Sequence, residues 1–302
     1  MTALRDLDII NFSNPSSGFD NIGPQCNDIK SGDLDTEEVK SILHQHNLYR
    51  NFVASGQEIR GNPGPQPPAK NMMELMWDSE LEKLAKRWVL QCVPSKDECR
   101  DVSRFAVWQN IHILYIESLE AGTTGLHRIP LHVQSWSDDV ENFDTAEVGL
   151  VDFARDNRGP YIGIAAGKIT HVGCGRAMYS VDLRHLKMTD FQQTSRENKT
   201  FNNIHFSQTH QRLEVLVCNY GPIDRTKPQN LYDDGIPGQC PGGLTHSNHY
   251  EYLCKKKEDE DEEQWLERRR EKNSSCRMDQ FTTILFSAIL GQFVINMLLS
   301  IG

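Results

Sequence analysis

"KITHVGCGRAMYSVDL", residues 168–183, and "RLEVLVCNYG", residues 212–221, decide the fold. Both read as β-strands, joined by a long polar excursion. Cys174 and Cys218 each stand in the middle of one strand. Neighbouring strands would bring the two sulfurs within disulfide range. The second half of the chain is therefore strand-rich.

The first half is helix-rich. "HVQSWSDDVENF" (132–143) spaces Val133, Trp136 and Val140 for a helix, and "RFAVWQNIHILYI" (104–116) has the β-branched and aromatic content of a strand. Another helix begins near Asp78, with Leu81, Leu84, Ala85, Trp88, Val89 and Cys92 on one apolar stripe that reads as core. Upstream, Thr36 precedes Glu37 and Glu38, acids suited to a first helical turn. Val39, Ile42, Leu43, His46, Tyr49 and Val53 follow at helical spacing, and Gly56 is a natural stop. "GNPGPQPPAK" (61–70) is a rigid extended connector, because its prolines fix φ and remove donors.

The chain has 302 residues and a formal net charge of −10. An acidic chain lacks the clustered Lys/Arg surface that phosphate binding needs, which excludes nucleic acid as a partner. There are eight cysteines and no C-x-x-C pair. Cysteines without metal-ligand spacing point to disulfides and a secretory compartment. The sequons at Asn198, Asn273 and Asn11 fit that compartment, with Asn198 the expected glycosylation site. "MTALRDLDIINFSNPSSGF" has no apolar signal-peptide core, so the expectation is that residues 1–35 are a leader that is not the native N-terminus.

Cys240 and Cys254 bracket a short loop in a Pro/Gly-rich extension (223–254) and could close it. Residues 255–276 carry mixed charge blocks, expected as a solvated helix or disordered stalk. Residues 277–302 end in "FTTILFSAILGQFVINMLLSIG" (281–302), uncharged and long enough to cross a bilayer. No Lys/Arg cluster follows it. Small residues stand before it, so a glycosylphosphatidylinositol (GPI) attachment signal, with the anchor at Ser274 or Ser275, is expected over a transmembrane tail.

Several long stretches carry a resemblance. They are "HNLYRNFVASGQEIRGNPGPQPPAKNM" (46–72), "LEKLAKRWVLQC" (81–92), "CRDVSRFAVWQNI" (99–111), "THVGCG" (170–175) and "LVCNYGP" (216–222). Together they resemble the insect venom allergen 5 (antigen 5) family, within the superfamily of cysteine-rich secretory proteins, antigen 5 and pathogenesis-related 1. The likeness covers about residues 20 to 250. It implies an α+β fold, a three-layer α-β-α sandwich around a central antiparallel sheet, here residues 36–222. It also implies the pairs Cys26–Cys92 and Cys174–Cys218. The position of Cys99 pairs in relatives with a cysteine near the mature N-terminus. No cysteine lies upstream of Cys26, so Cys99 is expected to be left over, consistent with a missing or replaced N-terminal segment.

The resemblance further implies two histidines and two acids lining a cleft where a divalent metal can bind. Here those positions are Lys96, Gln109, Asp139 and Pro160. An ammonium repels a metal ion and proline offers no side-chain ligand. One position of the four can still ligate. Among the eleven histidines, His44 and His46 do not share a helix face, and His171, His246 and His249 stand apart from any ligand pattern. There is no G-x-S-x-G, and Ser103 and Ser180 have no assignable partner. No metal or other cofactor is expected. Where relatives carry G-H-Y-T-Q-M-V-W, this chain has Gly159–Ala166, "GPYIGIAA". The small residues Gly163, Ala165 and Ala166 should open space beside the cleft or loosen the strand.

The expected function is that of a non-enzymatic extracellular module, secreted or tethered to the outer cell surface through its C-terminal anchor. Its ligand would be a lipid, another small molecule or a protein, since relatives are implicated in sterol or other lipid binding. The alternative is a metal-dependent hydrolase that uses the central cleft.

Overall fold

Cys174 and Cys218 stand directly opposite each other on adjacent antiparallel strands. The computed structural model describes residues 22–24, 26–30, 33–93, 95–116, 125–155, 159–182, 210–257 and 264–269. Within them, β4 (His171–Asp182) and β5 (His210–Ile223) pair along their length, and the Cys174–Cys218 disulfide ties the pair with a Cα separation of 4.1 Å. β3 (Ala106–Tyr115) runs antiparallel to β5 on its other side, and β1 (Asn27–Lys30) runs antiparallel to β4. The order is β1-β4-β5-β3, with the two-residue β2 (Met76–Trp77) joining β4 in parallel.

Helices cover both faces of this sheet. α1 (Thr36–Ala54) and α3 (Ile129–Asp138) share one core with Trp108, Val172, Leu216 and Tyr220. α2 (Ser79–Val89) fills the other with Ile111, Ala177, Tyr179 and Val215. The result is the three-layer α+β sandwich. Strand alternation assigns each residue its side, so Cys174 and Arg176 face α1 and α3 while Gly173 and Gly175 face α2. A Cβ at Gly173 would stand 2.2 Å from the Glu82 amide nitrogen, and one at Gly175 would stand 2.5 Å from Lys86 Cα. The bare backbone is what lets α2 settle on the strand.

The helix starts follow their capping chemistry. Asp35 accepts from Glu38 N at 2.8 Å, while Glu38 Oε2 accepts from Asp35 N at 3.1 Å, a reciprocal capping box. Asp78 accepts from Glu80 N and Leu81 N at the start of α2. The third helix is shorter than its spacing predicts: α3 ends at Asp138 and tightens into a 3-10 turn over Asp139–Asn142. The strand expected from Lys168 begins at His171, because Gly167 N donates to Leu231 O and Ile169 N to Ala166 O, closing a turn ahead of it.

The Pro/Gly-rich extension is part of the main core. Leu231, Tyr232, Tyr250 and Leu253 are buried there, and β6 (Leu244–His246) pairs with β7 (Cys254–Lys256). Disulfides also join Cys26 to Cys92 and Cys240 to Cys254, and Cys99 is free and exposed. Residues 264–269, expected within a solvated stalk, instead fold back as a helical turn. Leu266 is buried, and Arg269 forms two 2.7 Å contacts with Glu82 while lying over the rings of Trp77 and Trp265. Two tryptophans and a carboxylate outweigh the solvation of this short charged stretch. Asn198, Ser274, Ser275 and the hydrophobic tail lie outside the described residues, as do residues 1–21. Among the described residues no helix is long and apolar enough to cross a membrane.

Candidate functional site

The alternation of β3 separates the four cleft positions. Trp108, Asn110 and His112 point toward α1 and α3, whereas Gln109 and Ile111 point toward α2. Gln109 is buried on that second face. Its Oε1 accepts from Asp97 N at 2.7 Å and its Nε2 donates to Asn219 Oδ1 at 2.9 Å, while Asn219 Nδ2 donates to Leu81 O at 3.3 Å. A side chain so engaged, across the sheet from Asp139, holds α2 to the strands.

Asp139 sits where α3 tightens into the 3-10 turn. Its Oδ2 accepts from Tyr161 N at 3.4 Å and its Oδ1 from Asn142 Nδ2 at 3.4 Å. A Cβ at Gly159 would lie 2.1 Å from Asp139 Oδ2, and Gly159 has φ +125°, so only glycine admits the carboxylate here. Pro160 follows and opens α4 (Tyr161–Ala165), a single buried turn of helix. Its carbonyl accepts from Asn110 Nδ2 at 2.9 Å.

The stretch expected to open space or to loosen a strand is a packed helix, and two distant residues explain it. Arg50 of α1 is fully buried and donates to the carbonyls of Met73, Ile164, Ala166, Gly167 and Ile169 at 2.7–3.2 Å. It thus satisfies the carbonyls that end α4 and begin the next turn. Trp108 supplies the volume. Its indole lies so close to Gly163 that a Cβ there would meet Cδ1 at 2.5 Å, and its Nε1 donates to Asn110 Oδ1 at 2.9 Å. Phe153 stands edge-on to it at 5.7 Å between centroids, and Lys96 Nζ lies 4.4 Å from its ring centroid. Space that Gly163 would have opened is filled by Trp108.

The four positions do not fit a metal ion. Lys96 brings a cation onto an indole, Gln109 is committed to the opposite face, Pro160 has no ligand atom, and Asp139 caps a helix turn. Among the described residues no group of three or more His, Cys, Asp or Glu is placed to hold one. Ala166, by contrast, does open space. It lines a cavity of about 190 Å³ with Phe153, Ile169, Ile223 and Leu231, and Lys168 and Asp224 stand at its rim.

The sequence placed His46 among the apolar positions of α1 but left His112 and His132 without a role. His46 Nε2 meets the Tyr220 hydroxyl at 2.8 Å and its Nδ1 meets Ile42 O at 2.7 Å. Burial pushes its imidazole down to about 4. His112 and His132 touch each other across the β3–α3 interface. The available signal was their placement at apolar-face positions of a strand and a helix.

Comparison with known proteins places these features. A family model described as "CAP: Cysteine-rich secretory protein family" matches residues 43–188. Venom allergen 5.02 of Dolichovespula maculata is 33% identical over 214 residues, covering 70% of this chain and 84% of the relative. Venom allergen 3 of Solenopsis invicta is 32% identical over 216 residues, covering 70% of this chain and 78% of that protein. Among solved structures, BmVAL-1 superposes with a TM-score of 0.52 at 21% identity, over 75% of this chain and 97% of its own. Na-ASP-1 gives a TM-score of 0.51 at 23% identity over 78% of this chain, which spans half of that protein.

Proposed function

The chain belongs to the cysteine-rich secretory protein family, and from that premise we propose that it works without catalysis, as an extracellular antigen 5-like binding module. The observation that carries this reading is Trp108. Its indole lies between Lys96 and Gly163, in the region to which the family assigns its metal ligands. Of the four positions only Asp139 offers a carboxylate. The three disulfides support the secretory route, which is also the route a C-terminal anchor requires. We assign the hydrophobic segment 281–302 to GPI attachment at Ser274 or Ser275, and Asn198 to glycosylation.

The ligand site this reading favours is the cavity behind Ala166. At about 190 Å³ it is smaller than the roughly 300–1,000 Å³ of drug-sized ligand pockets, so it would take only a very small molecule or one end of a lipid. Two measurements test the proposal. Protein purified without chelator should carry no stoichiometric zinc, and Asp139→Asn should leave ligand binding intact. Stoichiometric zinc with a hydrolytic activity lost in Asp139→Asn would overturn it in favour of the metal-dependent hydrolase. Phosphatidylinositol-specific phospholipase C should release the protein from expressing cells, and retention would refute the lipid anchor.

A further inference from the structure

A cluster of buried ionisable groups lies on the α1/α3 face of the sheet, and the proposed binding function does not use it. His112 projects from β3 and His132 from α3, and their Nδ1 atoms are 2.9 Å apart. At that distance one ring donates and the other accepts, so the contact holds a single proton. His132 Nε2 lies 3.5 Å from Glu214 Oε1 on β5. Glu214 is ion-paired with Arg128, the residue preceding α3, and lies 3.6 Å from Arg176 Nη1 on β4. Arg176 Nη2 reaches Glu38 Oε1 on α1 at 2.7 Å, and Glu38 also accepts from Gly125 N at 2.6 Å. His127, at the surface, meets Arg128 Nη1 at 2.9 Å.

Two arginines and two glutamates thus face the imidazole pair among the described residues, and their charges cancel. A proton on His132 would face Glu214 Oε1, whereas a proton on His112 has only burial and the neighbouring ring around it. Placed on the accepting Nδ1 it would also break the ring contact, whereas placed on an outer nitrogen it leaves that contact in place. An uncompensated cation in this buried site is costly enough to force a rearrangement. The elements that can part are β3 and α3, because each contributes one ring.

We propose that the His112–His132 contact is an acid-operated latch that holds helix α3 on the sheet and releases it when the buried pair takes up a proton. Release uncovers Ile129, Val133 and Trp136, the apolar side of α3. It also frees the turn that carries Asp139, and with it the cap on α4. The latch therefore couples acidity to the packing of the Trp108 region.

Hydrogen exchange of the full chain, compared between pH 7 and pH 5 and corrected for intrinsic chemistry, tests this. Burial already keeps the His112 imidazole at about 3, against about 6.5 when exposed, so its protonation alone should weaken α3 docking roughly 25-fold over that interval. In a His46→Gln background, which removes the other buried imidazole of this core, residues 129–138 should lose protection by that factor while α2, on the other face, keeps its own. The double variant His112→Gln/His132→Gln, made in the same His46→Gln background, should exchange equally at both pH values. Unchanged protection of α3 in the native chain would overturn the proposal, and so would equal losses in α2 and α3, or a pH response that survives in the double variant. If that variant does not fold, histidine ring resonances of the native chain decide the matter. The latch requires His112 and His132 to titrate together with the loss of α3 protection, and titration with α3 still protected refutes it.

Discussion

Replacing Arg50 with methionine should remove the support on which α4 rests. The guanidinium serves five carbonyls. Two of them keep another donor, since Ile169 N reaches Ala166 O at 3.2 Å and Met73 N reaches Gly167 O at 2.9 Å. The carbonyls of Met73, Ile164 and Ile169 have only Arg50 among the described residues. A buried polar group left unsatisfied costs about 1–3 kcal/mol, so three of them cost about 3–9 kcal/mol. That is comparable with the whole stability of a domain, about 5–15 kcal/mol. Arg50→Lys keeps the charge and three donors but loses the planar fork, and should fall between the native protein and the methionine variant. Urea unfolding with disulfides intact, followed by tryptophan fluorescence, measures both. A methionine variant within 1 kcal/mol of native, or a lysine variant below it, would refute the account of α4 as a helix held by Arg50.

Three further outcomes follow from the geometry. His46 is held neutral by burial, with its folded value near 4 below the ordinary 6.5, so its contribution is complete above pH 6.5 and is lost as pH falls toward 4. Native protein should lose about 3 kcal/mol across that window, and His46→Gln should flatten the loss in urea titrations at stepped pH. Gly159→Ala should cost about 1–3 kcal/mol for backbone strain plus the clash with Asp139, and adding Asp139→Ala should recover the clash alone in a double-mutant cycle. Trp108→Ala should cost about 3–5 kcal/mol and leave a cavity beside Gly163, detectable as binding of a small apolar probe absent from the native protein.

Local chemistry made much of the sandwich legible. The starts of α1 and α2 each rest on a cap whose partners lie within three residues of it in sequence, and the long strands carry their own β-rich composition. The α2 stripe faced the core because its period matches the helix. α4 was not legible, because its cause is an arginine 114 residues upstream and an indole on another strand. Residues 264–269 gave a charged pattern that reads as solvated until Trp77 and Glu82 are in place to receive it. The site divides in the same way. That Lys96 and Pro160 are poor ligands is a property of each residue alone. That Gln109 faces away from Asp139 depends on strand alternation within the assembled sheet.

The indole beside Gly163 also bears on how such a cleft changes over generations. A histidine restored at position 160 would find Lys96 still over Trp108 and Trp108 still occupying the space. Removing Trp108 first forfeits packing before any ligand is regained. Loss of Trp108 alone costs packing, and a histidine at position 160 alone adds one ligand without a set. We propose that this indole keeps the cleft from regaining a metal site one substitution at a time.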